Sequence, residues 1–476
     1  MARRIWIVLP DPFPTRVFVD CGIVEKLAAQ LPGRVEAVLA LPEDEAREWG
    51  PRLGDVPWII GAELFPAEAG LLERVTRRVD LAIDRNAGYY PLSVRHSLRN
   101  GFHVERMRPG HPNLFLNSSL TGRLPDSERL DALMRRWLFS TRRYVSSELL
   151  RRMSGSCSAL VVANVQSLQA VPFLNAARRL SLPVVGYVAS WDHTVGKGIV
   201  SPHVSRYVVQ NEVMRDDLTR YHEIPAQRVV VTGWPQSDVF HRRRPVSEYE
   251  EIIRGLGLDP SRPVVLVAGN TPTNAPYEGL LVTRLVEWAG SRSAAVRPQL
   301  LFRPHPRDHD WRERFSAVLG ADDSAVQEPS YTDIEALATL LQHVDCVVCN
   351  AGTILLDALV NDRAAVCVLY DEGALPEERH AELNVTGKHY EELIHSGAFV
   401  QARDFDEVVA GIERSLAEPG VLAEERRRVV AEIVGEVDGR SAERVVDAIA
   451  AALAPGSTSA SAGAGPVAPP RLYADT

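Results

Sequence analysis

Residues 263–274, PVVLVAGNTPTN, hold the pattern that decides the fold. In this stretch the apolar run Val264–Ala268 stops at a loop of small hydroxyl and amide residues. A strand that is apolar on both faces is typical of a parallel sheet covered by helices on both sides. Helical spacing resumes over Tyr277–Gly290, so the segment predicts a strand, a loop and then a helix.

The same unit recurs in both directions along the chain. Toward the N-terminus, the runs Arg4–Leu9 and Ala159–Ala163 each lead, after a loop, into a segment with helical spacing. Toward the C-terminus, Gln299–Phe302 and Cys346–Cys349 do the same. This alternation predicts an α/β fold of two Rossmann-like, doubly wound parallel-sheet domains. Ligands of such sheets bind beyond the carboxyl ends of the strands, so the residues that follow each strand form the candidate site.

Changes in composition predict the domain limits. We expect an N-terminal domain over residues 1–237, a polar, proline-bearing linker over 238–260 and a C-terminal domain over 261–438. Residues 439–454 have an apolar helical face that should pack against a domain. Residues 455–476 are rich in Gly, Ser, Ala and Pro, which predicts a flexible tail.

Charge and cysteine content exclude some classes of function. The chain has 53 Lys and Arg against 62 Asp and Glu, a net charge of −9, so a general nucleic-acid-binding surface is not expected. Its 5 cysteines, an odd number in apolar runs, indicate reduced, buried thiols of a cytoplasmic protein. Cys346 and Cys349 have CxxC spacing, but no second pair or His partner follows, so core thiols are favoured over a redox or metal site.

No segment has the length of a membrane span. The run Ile5–Leu9 stops at Pro10, which is too early for a signal peptide, and the run is interpreted as a first strand. No run approaches the roughly 18 apolar residues that cross a bilayer. Val79–Ile83 is predicted as a further short strand. No segment stands out as an amphipathic basic helix of the kind that lies on a membrane surface. We therefore expect a cytoplasmic protein and leave peripheral contact with a membrane open.

Two loops of the C-terminal domain carry groups that suit phosphate. The first contains Gly269, Asn270 and Thr271, through which a backbone loop can approach a phosphate, although an ordinary capped turn fits the fragment equally well. In the second, two prolines hold Arg303 and His305 in an extended stretch. Arginine offers a planar fork for phosphate and histidine a further donor. The alternative for this second loop is a solvated surface segment.

A third loop of the C-terminal domain leads into a helix. Gly352 allows a ligand close to the backbone, Thr353 can cap the helix and donate to a phosphate, and Asp357 lies one turn further on, at a spacing that could reach a ribose diol. A capped helix with a buried polar contact is the alternative. The DxD pattern of Asp308-His309-Asp310 resembles some metal sites, but acids also suit the start of a helix, and we expect no metal.

The N-terminal domain contributes one dense chemical cluster after the apolar run Pro183–Ala189. Asp192 and His193 could each serve as a general base for an acceptor hydroxyl. Lys197 could stabilise the charge that develops on a phosphate. A polar loop with a solvated lysine is the alternative.

Taken together, these motifs resemble those of GT-B glycosyltransferases. The nearest group is the CDP-glycerol glycerophosphotransferase and surface-carbohydrate branch, and the resemblance covers about Leu160–Asp371. Its most specific element is the Arg-Pro-His-Pro run. The motifs are Ser190-Trp191-Asp192 with Lys197-Gly198, Tyr207–Glu212, Val231–Pro235 with Asp238, Arg303–Pro306, and Gly352-Thr353 with Asp357.

The resemblance implies a nucleotide-activated donor in the C-terminal domain and an acceptor mainly in the N-terminal domain. It also implies transfer without a catalytic metal or a cofactor, and a last helix that crosses back to the N-terminal domain. It places Arg303 and His305 at the donor diphosphate, Thr353 at a phosphate and Asp357 at the ribose. One departure matters: teichoic-acid-type transferases carry a His-Gly…Lys element where this chain has Asp192-His193…Lys197, which favours sugar over polyol phosphate as the transferred group.

The leading hypothesis is therefore a GT-B glycosyltransferase. It would move a sugar from a nucleoside-diphosphate sugar to a hydroxyl acceptor on a cell-surface glycan or natural product. Asp192 or His193 would be the base. The alternatives are a CDP-alcohol phosphotransferase, a nucleotide-sugar 2-epimerase and a non-catalytic, nucleotide-binding pseudo-transferase. The predicted donor-binding residues are Lys197, Gly269, Asn270, Thr271, Arg303, His305, Gly352, Thr353 and Asp357.

Overall fold

The structure is a computed structural model that describes residues 3–65, 70–86, 89–102, 127–196, 198–375 and 378–454. Its strands form two parallel sheets. The first sheet contains β1 (Arg4–Leu9), β2 (Val35–Leu39), β3 (Trp58–Ile60), β4 (Cys157–Val162), β5 (Val184–Tyr187), β6 (Arg206–Val209) and β7 (Val229–Val231). The second contains β8 (Val264–Ala268), β9 (Gln299–Arg303), β10 (Ser324–Val326), β11 (Cys346–Asn350), β12 (Ala365–Val368) and β13 (Val400–Ala402).

Both sheets are doubly wound. The strand order is β3-β2-β1-β4-β5-β6-β7 in the first sheet and β10-β9-β8-β11-β12-β13 in the second. In each sheet the chain builds outward on one side and then returns to the centre to build on the other. The order therefore reverses between β1 and β4 and between β8 and β11, and the crevice at such a reversal is where ligands of open α/β sheets bind. The predicted fold class is confirmed.

Helices separate the strands of both sheets. Those associated with the first sheet are α1 (Pro12–Asp20), α2 (Ile23–Gln30), α3 (Glu43–Trp49), α4 (Leu71–Asn86), α5 (Tyr89–Asn100), α6 (Glu128–Leu138), α7 (Ser147–Ser156), α8 (Val171–Arg179), α9 (His193–Gly196), α10 (Glu212–His222) and α11 (Pro235–His241). The remainder are α12 (Val246–Gly255), α13 (Glu278–Ser291), α14 (Trp311–Arg314), α15 (Ile334–His343), α16 (Thr353–Val360), α17 (His380–Asn384), α18 (Glu391–His395), α19 (Phe405–Ala417), α20 (Ala423–Ile433) and α21 (Ser441–Ala452).

The two faces of strand β8 show why its sequence is apolar throughout. Val264 and Leu266 pack into a core cluster that is continuous with the core of the first sheet. Val265 and Val267 point the other way, into a separate cluster with helix α13. Every residue of this strand is buried. Because successive side chains of a strand alternate between faces, only a fully apolar strand fits between two helical layers.

The predicted strand at Val79–Ile83 is wrong, because these residues lie in helix α4. The apolar residues Leu72, Val75, Val79 and Ile83 are spaced by three or four, which is the helical period. Within the short window Val79–Ile83, the apolar residues Val79, Leu81 and Ile83 alternate, so this window alone does not show the helical period.

Helix α21 packs on elements of the first sheet. Both carboxylate oxygens of Asp238 accept hydrogen bonds from the start of this helix, from Ser441 N at 3.0 Å and from Ala442 N at 2.7 Å. Gly233 has φ 86°, and a Cβ on it would lie 2.5 Å from Ser441 Oγ. The Gly233–Asp238 motif thus holds the last helix in place. The predicted domain limits themselves stay predictions, and the predicted tail, 455–476, lies outside the described residues.

Candidate functional site

The reversal point of the second sheet collects three of the predicted loops. Asn270, just after β8, donates from Nδ2 to the Ala351 carbonyl, just after β11, over 3.0 Å. Gly269 N donates to the Arg303 carbonyl at the end of β9 over 2.9 Å. A Cβ on Gly269 would lie 3.2 Å from Pro304 Cα, closer than side chains normally pack. The loops after β8, β9 and β11 therefore meet at one edge, as their positions after strands predict.

The backbone of the first loop is already engaged within the protein. Asn270 N donates to the Glu278 carboxylate at 3.0 and 3.1 Å, and Thr271 N donates to Asn270 Oδ1 at 2.7 Å. With Gly269 N bonded to Arg303, all three predicted positions have used their amide hydrogens. A role for this loop at a phosphate would rest on its shape and side chains, and donor binding by Gly269, Asn270 and Thr271 stays a prediction.

Glu278 supports this loop, and sequence reasoning missed it. Its side chain is 6% exposed, and burial raises the pKa of the carboxyl to about 8, an effect that the nearby Arg314 opposes. Its only signal in the sequence was an acid in the first turn of the predicted helix after Gly269–Asn274, where acids are common for dipole reasons.

Arg303 and His305 lie side by side at the end of β9 with contrasting chemistry. Arg303 is 7% exposed, and its Nη2 donates to Asp333 over 2.6 Å. His305 Nδ1 accepts a hydrogen bond from Arg307 N at 3.0 Å, which places the proton of the neutral ring on Nε2. Burial, with the Arg307 and Arg16 cations, lowers the pKa of His305 to about 4. The pair thus offers a fixed cation and a neutral N–H donor.

Gly352 and Thr353 lie where helix α16 begins. Both are half-buried at the carboxyl edge of β11, and Gly352 has an extended backbone with φ −176°. The amide groups of a first helical turn point out of the helix end and favour an anion there. The predicted contacts of these two residues with a phosphate stay predictions.

Asp357 faces the first half of the chain. Its side chain is 3% exposed and accepts a hydrogen bond from Gln236 Nε2 over 2.8 Å. Gln236 Oε1 accepts in turn from Arg16 Nη2, also over 2.8 Å. Burial raises the pKa of Asp357 to about 7, and Arg16 is the main opposing charge. The predicted contact of Asp357 with a ribose stays a prediction, and one of its oxygens already has a partner.

Arg16 is the site residue of the first half that sequence reasoning missed. It lies on helix α1, directly after β1, and is 7% exposed. Burial lowers the pKa of its guanidinium, Asp357 raises it, and Arg303 lowers it further, so the two arginines lie within electrostatic range of each other. Its Nε is buried without a hydrogen-bond partner in the part of the chain that the structure describes. Because proline usually interrupts a helix, the sequence with Pro12 and Pro14 did not indicate this helix.

The reversal point of the first sheet holds a second polar pair, of which Asp11 was not predicted. Asn164, after β4, donates from Nδ2 to the Asp11 carboxylate, after β1, over 3.0 Å. Asp11 is half-buried, and its carboxylate could accept a hydrogen bond or a proton from a hydroxyl group at this edge. The only indication of Asp11 in the sequence was its position directly after the first strand.

Asp192 lies in the turn after β5 and His193 begins helix α9, beside a segment of the second half. The His193 carbonyl accepts from Gln166 Nε2 at 2.9 Å. The ring of Trp191, which precedes them, lies 5.2 Å from His389 and 5.4 Å from Tyr390, centroid to centroid. Their role as a catalytic base stays a prediction, and Lys197 lies outside the described residues.

A cavity of about 370 Å³ adjoins the segment that contains His389 and Tyr390. It opens between helix α10 and the residues around helix α18, and its size suits a small polar molecule. Its lining is Asn100, Gly101, Tyr221, Val385, Thr386, Gly387, Lys388, Glu391, Ile394 and His395.

The candidate redox thiols are buried in the core, whereas the acids of the DxD pattern differ, since Asp308 is buried and Asp310 is exposed. Cys346 and Cys349 are at most 2% exposed, and burial raises the pKa of Cys346 to about 12. Asp308 is buried and paired with Arg314. Within the described ranges, no three His, Cys, Asp or Glu side chains are grouped so that they could hold a metal ion. No helix among the described residues is both long and apolar enough to cross a bilayer.

Comparison with known proteins adds a family and a fold. The family model described as CDP-Glycerol:Poly(glycerophosphate) glycerophosphotransferase matches residues 199–451, more than half of the 476 residues. A search of curated proteins gives no match.

Solved structures match over nearly the whole chain. The S. aureus MnaA–UDP co-structure aligns with a TM-score of 0.52 at 10% identity, covering 95% of this chain and 97% of that one. UDP-GlcNAc 2-epimerase from Neisseria meningitidis, bound to UDP-GlcNAc, aligns with a TM-score of 0.50 at 11% identity, covering 94% and 99%. At such identities the likeness concerns the fold alone, and it confirms the GT-B architecture.

Proposed function

Because the chain belongs to the CDP-glycerol:poly(glycerophosphate) glycerophosphotransferase family and has the GT-B fold, we propose that it is a transferase that uses a nucleotide-activated donor. The donor diphosphate would lie between the two halves, at the carboxyl edge of β8, β9 and β11. The observation that carries this proposal is the convergence there of two buried arginines, Arg303 and Arg16, with the neutral donor His305. Two like charges buried within range of each other are stabilised by an anion between them.

Each group would have a distinct task in the transfer. Arg303 and Arg16 would neutralise the charge that accumulates on the departing phosphate, and His305 Nε2 would donate to one of its oxygens. The acceptor hydroxyl would lose its proton to Asp192 or His193 as its oxygen attacks the donor.

The family relation favours a polyol phosphate as the transferred group. In that reaction the acceptor oxygen attacks the phosphorus next to the polyol of a CDP-alcohol, the phosphoanhydride bond breaks, and CMP leaves. The sugar transfer predicted from the sequence is the second candidate, and Asp192-His193 in place of His-Gly supports it. There the acceptor oxygen attacks the sugar carbon, and a nucleoside diphosphate leaves.

Nucleotide binding is the first test. Thermal unfolding is measured with CDP-glycerol, CMP, CDP, UDP, GDP, TDP and common nucleotide sugars. A ligand at 100 times its dissociation constant stabilises by about 2.7 kcal/mol, and we expect such a shift with one base. Arg303→Ala should abolish the shift and Arg303→Lys should keep part of it. Arg312→Ala, an exposed arginine of the same half, is the matched control. No shift with any nucleotide contradicts the proposal.

Product analysis then separates the reactions. Release of CMP with acceptor present identifies phosphotransfer, and release of a nucleoside diphosphate identifies sugar transfer. Conversion of the nucleotide sugar without any acceptor would identify an epimerase, and binding without turnover a pseudo-transferase; either result contradicts the proposed transfer.

A further inference from the structure

The cavity beside helix α10 has walls from both halves of the chain. Asn100 of helix α5 and Tyr221 of helix α10 belong to one wall, and residues 385–388 with helix α18 form the other. Lys388 N donates to the Phe102 carbonyl over 3.0 Å, so a main-chain hydrogen bond joins the two walls. A cavity whose walls are joined in this way exists before a ligand binds, as is usual for small-molecule sites.

A smaller cavity of about 70 Å³ continues toward the turn that carries Asp192. The two cavities share Lys388 and Glu391 in their walls. The wall of the smaller cavity also includes Trp191, the residue before Asp192, and His193 follows at the start of helix α9. A molecule that fills both cavities therefore extends from helix α18 to the residue next to the proposed base.

Lys388 gives the shared wall a positive charge. It is one of only three lysines among the 53 Lys and Arg residues of the chain. Its ammonium lies 3.5 Å from the carboxylate of Glu391, beyond the roughly 2.7–2.9 Å of a strong charged hydrogen bond. This loose pair leaves the ammonium able to bind a phosphate, toward which lysine acts as a point charge.

Groups that bond hydroxyls surround this charge. Asp217 of the smaller cavity accepts a hydrogen bond from Thr194 Oγ1 over 2.7 Å. Burial raises the pKa of Asp217 and Lys388 lowers it, so these two side chains lie within electrostatic range of each other. Since a carboxylate has about four lone-pair sites, Asp217 can accept further hydrogen bonds from hydroxyl groups. Tyr221 of the larger cavity adds an aromatic face against which a carbon chain can pack.

These groups select among possible occupants. An apolar molecule would remove water from Lys388, Glu391 and Asp217 without replacing its hydrogen bonds, which costs free energy. A neutral sugar would bond the carboxylates and offer no charge to the ammonium. A molecule that carries both a phosphate and free hydroxyl groups matches both kinds of group.

We propose that the two cavities bind the acceptor, that Lys388 pairs with a phosphate of this acceptor, and that Asp217 and Glu391 accept hydrogen bonds from its hydroxyl groups. This inference rests on the proposed function and assigns a binding site to its second substrate. In this position the terminal hydroxyl of the acceptor would enter the smaller cavity, where Asp192 or His193 would take its proton.

Protection of an engineered thiol tests the site in the full chain. All five native cysteines are buried, so N-ethylmaleimide should label Thr386→Cys, at an exposed position of the cavity wall, much faster than any of them. When a synthetic trimer of glycerol phosphate occupies about nine-tenths of the cavities, this labelling should be about 10-fold slower. Glycerol and inorganic phosphate at the same concentration should slow it less. Mass spectrometry measures the rate.

Matched variants separate the site from unspecific effects. Combined with Thr386→Cys, Lys388→Ala should weaken binding of the trimer about 10-fold, because a bond to a charged group is lost. Lys26→Ala, at an exposed lysine of helix α2, should not weaken it. Labelling of Ser293→Cys, at an exposed position outside the cavity walls, should not respond to the trimer. Labelling of Thr386→Cys that the trimer leaves unchanged, or protects equally after Lys388→Ala, overturns the proposal.

Nucleotide binding separates this proposal from the proposed transfer. Nucleotide binding by a protein whose thiol is not protected overturns the acceptor site and leaves the transfer in place. Protection without nucleotide binding supports a phosphate-bearing ligand in the cavities and contradicts the transfer. Where turnover is measured, Lys388→Ala should raise KM for the trimer about 10-fold and leave kcat and the nucleotide dissociation constant near their wild-type values. An unchanged KM in this variant overturns the assignment of Lys388.

Discussion

Gln236 donates a hydrogen bond from Nε2 to the carboxylate of Asp357 over 2.8 Å, and so connects the end of the first Rossmann-like half to a helix of the second. The same side chain accepts from Arg16 through its oxygen. The amide is thus used at both ends, between a cation of one half and an acid of the other. Since Gln236 is fully buried, this contact fixes the relative position of the two sheet edges at which the donor would lie.

Replacing Gln236 by Ala should destabilise the protein. The change leaves Asp357 and Arg16 buried without their shared partner, and such a loss costs about 1–3 kcal/mol. Urea unfolding measures it, and Gln227→Ala, at an exposed position, should change stability by less than about 0.5 kcal/mol. An unchanged unfolding midpoint in Gln236→Ala would show that the contact between the halves is not formed in solution.

Replacing Arg16 should weaken donor binding as well as the fold. If Arg16 neutralises the diphosphate, Arg16→Ala should raise the nucleotide dissociation constant about 10- to 100-fold, because hydrogen bonds to charged groups are worth roughly 1.5–3 kcal/mol. Arg16→Lys should recover part of this loss. Isothermal titration with the nucleotide found by thermal shift gives the constant, and Arg34→Ala, at an exposed position of the same half, is the control. A nucleotide affinity that Arg16→Ala leaves intact would confine Arg16 to holding Gln236.

The carboxyl of Glu278 should make stability depend on pH. Burial raises its pKa in the folded state to about 8, above the ordinary value of 4.5, so the folded protein holds this proton more tightly than the unfolded chain does. Stability should therefore fall as pH rises from about 4.5 to about 8, by at most about 1.4 kcal/mol per pH unit, and level off above that range. Glu278→Gln, which still accepts from Asn270, should lack this component, whereas the exposed Glu25→Gln should keep it. Parallel stability–pH curves for Glu278→Gln and wild type would contradict the raised pKa.

Sequence reasoning found the sheets because a strand buried on both faces must be apolar throughout. It placed β8, β9 and β11 to within about one residue, and with them the loops that carry Gly269, Arg303 and Gly352. It could not find which groups meet across the halves. Arg16 and Gln236 are 220 residues apart in the chain, and no local pattern indicates that one bonds the other.

Helix α4 shows a second limit of local patterns. In the sequence, Val79, Leu81 and Ile83 alternate as the residues of a strand would, and only the full length Leu71–Asn86 shows the helical period. The partners of two of its acids, Tyr144 for Glu73 and Arg143 for Asp80, lie 71 and 63 positions further along the chain, so no local pattern indicates these contacts.

His305 should act as a neutral hydrogen-bond donor whose pKa rises when a diphosphate binds. Burial and the cations Arg307 and Arg16 lower its pKa in the free protein to about 4, so the ring is uncharged at neutral pH. A depressed histidine pKa contributes stability above the ordinary value of 6.5, and this contribution is lost as pH falls toward 4. A bound diphosphate would offset the two cations and favour the charged ring. Nucleotide binding should therefore be accompanied by proton uptake below about pH 6, and should not require it at pH 7.5.

Imidazole NMR of the free and nucleotide-bound protein measures this directly. We expect the His305 resonance, assigned by its loss in His305→Gln, to titrate near pH 4 in the free protein and at a higher pH in the complex. His305→Gln, which keeps an N–H donor, should retain more nucleotide affinity than His305→Ala. Titration of His305 near its ordinary pKa in the free protein would remove the basis for a neutral donor. An identical pKa with and without nucleotide would place the diphosphate away from the end of β9.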